Sequence, residues 1–197
     1  MHASDNNPKR TINSSFKKMK IVPLILLMIL FPGFLLAQSF QKDDAGNPVV
    51  TQEFIDAELK QMEMESIPTD ESFKLDQFNG KITVIDFWQT WCRPCLAGFK
   101  GFQKAKEQWP DQVEIIAASP DWADNKRKIR KFIKGKNYDF QFVWAGEIEN
   151  KLDLKSIPYK IIIDPEGKLI TSKSGTGGPD HEYKYIKDLI DEWYTSN

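Results

Sequence analysis

The sequence predicts an α/β domain: a central mixed sheet with helices on both faces, and an added strand and helix at the N-terminal side. Three observations carry this. The runs ITVIDFW (Ile82 to Trp88) and VEIIAAS (Val113 to Ser119) are β-branched and apolar throughout, as buried strands are. Amphipathic helical segments alternate with such runs, and a late hairpin leads into a closing helix.

Composition agrees with a globular chain. It is 41% hydrophobic and 28% charged, with 11 Gly and 11 Pro, which is neither disordered nor collagen-like. The length of 197 residues suits one domain once a leader is removed. The formal charge of -1 is unevenly spread: five of the 27 basic residues and one of the 28 acidic ones precede residue 21. That leaves 22 basic and 27 acidic residues, an acidic body that gives no support to nucleic-acid binding.

Residues 1–37 have the layout of a secretory signal peptide: a basic start, an apolar run from Ile21 to Ala37, and a small residue before a polar one, with cleavage after Ala37. Leu35 is bulky for its place before the cut, and about 17 apolar residues can just span a bilayer, so an uncleaved anchor stays open as the alternative. Pro23, Pro32 and Gly33 argue against a durable membrane helix. Either way the body is exported, periplasmic or membrane-anchored facing the periplasm. No cysteine lies near the cut, which excludes a lipid on a new N-terminal Cys. Met19 is a natural start, making residues 1–18 an upstream extension.

Residues 38–71 read as linker and N-terminal helix. Gln38 to Pro48 is polar, and Ile55, Leu59 and Met62 fall at helical spacing between Thr51 and Glu65. Residues 72–197 form the main domain. SFKLDQFNGK predicts a short strand and turn, then comes the Ile82–Trp88 strand. A helix follows with Cys95, Phe99, Phe102 and Trp109 on one face. After the Val113–Ser119 strand, Trp122 to Lys136 is helical with Ile129, Phe132 and Ile133 as its stripe. YDFQFVW is a third strand, and Glu147 to Asp153 a short helix. YKIIID-PEG-KLITSK is a hairpin. The last helix carries Ile186, Leu189, Ile190 and Trp193, with Pro179 in its first turn.

The stretch DFWQTWCRPCLAGF, Asp86 to Phe99, holds the chain's two cysteines. A structural disulfide closing so few residues contributes little stability. A structural zinc needs four ligands, and the chain offers only His2 and His181 besides the two sulfurs. A copper carrier needs fewer ligands and stays open as the runner-up. A peroxidase-like antioxidant role is a further alternative, though that chemistry wants an isolated cysteine nucleophile. Dithiol–disulfide exchange fits best. A helix N-terminus presents unpaired N–H groups and a positive dipole end, which favour a thiolate at Cys92. Such sites bring a cysteine pKa from about 8.5 to roughly 3.5–7.5. Pro94 suits the first turn, where its missing N–H matters least. Cys95, on the helix's buried face, resolves the mixed disulfide formed at Cys92. The Cys92–Cys95 pair is then the redox centre, with no other cofactor and no metal.

VIDFWQTWCRPC resembles the active-site segment of the thioredoxin superfamily, and SIPYKIIIDPEGKLI resembles its second signature, where a cis-proline precedes the hairpin. The resemblance covers roughly residues 72–197 and implies the thioredoxin-like fold. It implies a cis bond at Pro158, a place for Pro158 opposite Cys92, and an Ile157 backbone that pairs with an extended partner segment. Asp86 matches the family's buried carboxylate, which implies a proton relay to Cys95; the alternative is a solvated strand-end residue. The leader, the added N-terminal strand and the insert before Pro158 resemble the exported TlpA/ResA-type branch. That branch implies a reductant of protein disulfides served by a membrane electron-transfer partner.

Arg93 stands where thioredoxin has glycine. An exposed ion pair is worth about 0.2–1 kcal/mol, which shifts a two-electron potential by at most roughly 20 mV against the about 150 mV that separates thioredoxin-like from strongly oxidising proteins. Arg93 therefore does not set the direction of electron flow. The expected contact surface is Trp91, Arg93, Pro94, Ile157 and Pro158, with Trp88 in the core. KRKIRKFIKGK reads as a solvated basic face, and SGTGGPD as a turn.

Overall fold

The computed structural model describes residues 41–195. The leader expectation, residues 1–37, lies outside the described residues. Among the described residues no helix is long and apolar enough to cross a membrane.

One seven-stranded mixed sheet organises the domain, in the order β2-β1-β5-β4-β3-β6-β7. Its centre is parallel: β3 (Ile82–Phe87) pairs with β4 (Val113–Ser119), and β4 with β5 (Gln141–Trp144). All residues of β3 and β4 are buried, as expected for strands covered on both faces. The antiparallel hairpin of β6 (Tyr159–Ile163) and β7 (Leu169–Ser174) joins the free side of β3. Its turn is held by Asp164, whose Oδ1 accepts from the N–H groups of Glu166 (3.0 Å) and Lys168 (2.8 Å), and Gly167 takes φ +79°.

The alternation of side chains along β3 divides the interior into two apolar layers. Ile85 and Phe87 face a layer that includes Phe54, Ile55, Leu59, Ile148 and Leu152. Those come from the first helix, α1 (Gln52–Phe54) with its π-helical continuation Ile55–Leu59, and from α4 (Gly146–Leu152). Ile82, Val84 and Trp88 face the other layer, built by α2 (Arg93–Gln108), α3 (Lys126–Ile133) and α5 (Pro179–Tyr194). Helices α2 and α5 approach closely at Gly101, where an added Cβ would sit 2.2 Å from the Pro179 carbonyl oxygen.

Several elements differ from the sequence expectation. The helix expected over Thr51–Glu65 ends after Leu59, and Met64–Ser66 is a strand, β1, flanked by β2 (Ser72–Phe73) and β5. Met62, Met64 and Ser66 are buried in alternation with more exposed Glu63 and Glu65, a period of two overlaid on the helical spacing of Ile55 and Leu59. SFKLDQFNGK, by contrast, holds the short strand and turn expected of it: β2, then a 3₁₀ turn, Leu75–Phe78, that FNGK closes. Helix α3 begins at Lys126, where Asn125 caps the Lys128 N–H at 2.9 Å, and stops before Gly135 with φ +79°. Its basic face is partly paired: Lys126 with Glu65, Lys128 with Asp124, and Arg130 with Asp70.

The polar stretch read as linker is tied down within the described residues. Asn47 is fully buried, and its Nδ2 donates to the Ser156 carbonyl (3.0 Å), Ser156 Oγ (2.9 Å) and Ser174 Oγ (2.7 Å). Its Oδ1 accepts from the N–H groups of Lys155 (2.8 Å) and Ser156 (3.0 Å). Tyr159 Oη donates to the Pro48 carbonyl at 2.6 Å. This segment thus braces the loop that leads into Pro158. Asn47→Ala removes five part-buried hydrogen bonds to two segments and is expected to lower stability by about 1–3 kcal/mol. Calorimetry should read a drop in Tm of several degrees; an unchanged Tm would contradict the bracing.

Candidate active site

Strand β3 ends at Phe87, and the next four residues carry the chain from the sheet to the start of α2. Trp88 is fully buried against Phe99, Phe132 and Phe142, with ring centroids 5.0, 5.3 and 5.6 Å away. Gln89, also fully buried, donates from Nε2 to the Pro120 carbonyl (2.7 Å) and accepts the Trp91 indole N–H on Oε1 (2.7 Å). The Thr90 N–H and hydroxyl both donate to the Asp124 carboxylate, at 2.5 and 2.8 Å. The loop is therefore fixed on both sides of Trp91, which remains 54% exposed.

Cys92 is the N-cap of α2. Its Sγ accepts the Cys95 N–H at 3.3 Å, in the way a capping oxygen does, and it is bonded to Cys95 Sγ in a disulfide. Pro94 in the first turn removes a competing N–H. Arg93 and Pro94 are exposed between the two sulfurs. In the bridged state Cys92 is 2% exposed, as covered as Cys95 at 1% and more so than its position ahead of the helical stripe suggests. Both sulfurs join the apolar layer of Trp88 and Phe99.

The Ile157–Pro158 peptide is cis. Ile157 is half-buried and packs against both apolar layers, including the one that holds the sulfurs, and Pro158 is buried. Pro158's carbonyl accepts the Gly175 N–H at 2.8 Å.

Asp86 lies on the face of β3 that bears Val84 and Trp88, the face covered by α2 and α5. It is 2% exposed, and its Oδ2 has no hydrogen-bond partner among the described residues. Burial pushes its pKa up to about 8, opposed by the Lys160 ammonium and reinforced by the Glu182 carboxylate. The solvated reading of Asp86 is thereby replaced: the carboxyl is buried and holds its proton well above the usual carboxylate range.

Sequence reasoning missed the groups around these residues. Lys160 sits in the apolar run YKIII yet is 1% exposed, and Glu182 falls four residues before Ile186 on the buried stripe of α5, also 1% exposed. A charge inside an apolar run and a carboxylate on a helical stripe were the available signals. Gln89 and Asp124 gave none, because only the fold brings Pro120 and Asp124 to the loop. His181 is exposed and lies 4.0 Å from Glu182. Among the described residues no group of three or more His, Cys, Asp and Glu side chains forms a metal-ligand set.

A dithiol pair at the cap of a helix, on this sheet, defines a thioredoxin-like thiol–disulfide oxidoreductase. Residues 50–172 match the AhpC/TSA family, and the chain belongs to it. It is 28% identical over 184 residues to the thiol-disulfide oxidoreductase ResA of Bacillus thuringiensis subsp. konkukian (strain 97-27), covering 88% of this chain and 98% of that one. The sporulation thiol-disulfide oxidoreductase A of Bacillus subtilis (strain 168) is 26% identical over 165 residues, 81% of this chain and 90% of that one. The crystal structure of StoA from Bacillus subtilis shares the fold with a TM-score of 0.52 at 23% identity, over 63% of this chain and 94% of that one.

The raised Asp86 carboxyl has a stability consequence. Between its unfolded value, near the ordinary 3.8, and its folded value of about 8, the folded protein holds a proton that the unfolded chain has lost. Stability therefore falls as pH rises through that window and levels off above it. Denaturant unfolding of the disulfide form should show Asp86→Asn gaining on the natural protein from pH 5 to pH 8. Parallel stability curves for the two would show that Asp86 does not carry the proton.

Proposed function

We propose that the protein reduces disulfides of exported proteins, with Cys92 as nucleophile, Cys95 as resolving thiol and Asp86 as the group that exchanges a proton with Cys95. The observation that carries this reading is the Cys92 sulfur at the N-cap of α2, accepting an N–H of the same turn that carries its partner. In the dithiol form the same N–H and the helix dipole stabilise a Cys92 thiolate. The thiolate attacks one sulfur of a client disulfide. The client S–S bond breaks, a mixed disulfide forms on Cys92, and one client thiolate leaves. Cys95 then loses its proton to the Asp86 carboxylate and attacks Cys92 Sγ. The second client thiolate leaves, two electrons have passed to the client, and the protein is left as a disulfide with Asp86 protonated. A dithiol donor at the membrane reverses these steps to recharge the pair.

Trp91, Arg93 and Pro94 form the client-facing rim on one side of the sulfurs, and Ile157 and Pro158 the other, where a client segment pairs with the Ile157 backbone. Residues 1–37 act as the export signal, residues 38–71 lead into the domain, and residues 72–197 carry the redox site. The basic start and apolar run of the leader support periplasmic or membrane-facing placement. The reductant direction is supported by the branch resemblance.

The test is Cys95→Ser. Without the resolving thiol, mixed disulfides on Cys92 should persist through non-reducing electrophoresis and dissolve on adding dithiothreitol. A variant that traps no partner, while Cys92 in the reduced protein still reacts with a thiol reagent, would assign the roles wrongly. Tight stoichiometric copper(I) binding without insulin-disulfide reduction by the natural protein would instead favour the carrier reading.

A further inference from the structure

Beneath the redox turn Asp86 belongs to a buried charge cluster whose other members, Lys160 and Glu182, the exchange chemistry above does not use. Asp86 on β3 and Lys160 on β6 are register partners, and side-chain alternation puts both on the face covered by α2 and α5. Directly opposed residues of an antiparallel pair have Cβ atoms roughly 4.5–5.5 Å apart. Lys160 Nζ donates to Glu182 Oε1 at 3.1 Å and to the Gly175 carbonyl at 2.7 Å. Glu182 Oε1 also accepts the Thr176 hydroxyl at 2.8 Å. Its Oε2, like Asp86 Oδ2, has no hydrogen-bond partner among the described residues.

The cluster reaches the redox helix through Gly98. An added Cβ there would lie 3.3 Å from Thr176 Oγ1 and 3.7 Å from Glu182 Cγ. Gly98 is three residues after Cys95, on the same helical face. Glu182 and Thr176 thus lie against α2 one turn after the resolving sulfur. Two carboxyls share one buried ammonium, which balances only one of them. Glu182 holds Lys160 directly, so Asp86 is the carboxyl left to keep a proton.

We propose that Lys160 and Glu182 are positioning residues for Asp86: their ion pair decides which carboxyl holds the proton that Cys95 gives up. This rests on the reading of Asp86 as the proton partner of Cys95. Removing the Glu182 charge frees Lys160 to balance Asp86 and drives Asp86 toward ionisation. Removing both charges leaves Asp86 to burial alone; since Lys160 acts on it more strongly than Glu182, it then holds its proton more tightly than in the natural protein. The other charged and titratable groups nearby are Lys173 on β7, opposite Lys160, with its ammonium pushed down by burial and by Lys160, and Tyr185, whose ring lies 3.8 Å from Lys173 Nζ. From α2 the sulfurs are bridged, and His181 beside Glu182 is exposed.

The experiment titrates the carboxylic-acid C=O band of Asp86 by infrared difference spectroscopy on the oxidised full chain, using Asp86→Asn to assign the band. Glu182→Gln should move the midpoint down by roughly one pH unit. The neutral pair Lys160→Met with Glu182→Gln should move it above that of the natural protein, and gives the reading if the single variant fails to fold. The pH profile for release of a mixed disulfide from Cys92 by Cys95 should shift in the same directions. Midpoints that coincide in all three proteins overturn the proposal. If instead Asp86→Asn leaves the release profile unchanged, the proton role of Asp86 itself fails, and this proposal with it.

Discussion

The cap of α2 is the constraint on which the rest of the molecule depends. A sulfur at an N-cap gains N–H donation and a favourable dipole only if the first turn is aimed at it, and here the loop before the turn does the aiming. Gln89 and Thr90 bind that loop to the β4–α3 connection through Pro120 and Asp124, so that Trp91 stays out in solvent while Cys92 closes onto the helix. Such polar anchors inside an otherwise apolar layer fix one loop conformation where packing alone would tolerate several.

A second constraint runs beneath the helix. The apolar layer that shields the sulfurs from water also makes ionisation expensive, so a thiol that must lose a proton there needs an acceptor equally removed from solvent. Asp86 is removed from solvent to the same degree, and burial raises its pKa to about 8. In the exchange proposed above, that carboxyl is the group that takes up the proton as the sulfur bond forms and returns it as the bond breaks. Asn47 and Tyr159 brace the loop around the cis Pro158 from the N-terminal side, so the segment ahead of the first helix is tied into the domain.

Where one physical signal dominated a segment, the sequence was enough. β3 and β4 were legible because both faces are covered, so most of their positions are apolar; α5 was legible because Ile186, Leu189 and Ile190 repeat on one face. The Cys92–Cys95 pair was legible from spacing beside Pro94, and the class of the protein from the residues flanking it. Ambiguity arose where two periods overlapped, as at Met62 and Met64, which satisfy a helix and a strand at once. It arose also where local capping overrode amphipathic pattern, as Asn125 did for α3. The polar cluster was hidden for a different reason: Lys160, Asp86 and Glu182 are far apart in the chain, and only the register of β6 on β3 and the docking of α5 on α2 bring them together.

The most direct measurement is the ionisation of Cys92 in the reduced protein, followed by thiolate absorbance or by the pH dependence of its alkylation, with Cys95→Ser isolating the single sulfur. If the helix cap stabilises the thiolate, the midpoint falls below the about 8.5 of an unperturbed cysteine. A midpoint at or above that value would contradict the account, because the capped sulfur would then be no better a nucleophile than a free thiol.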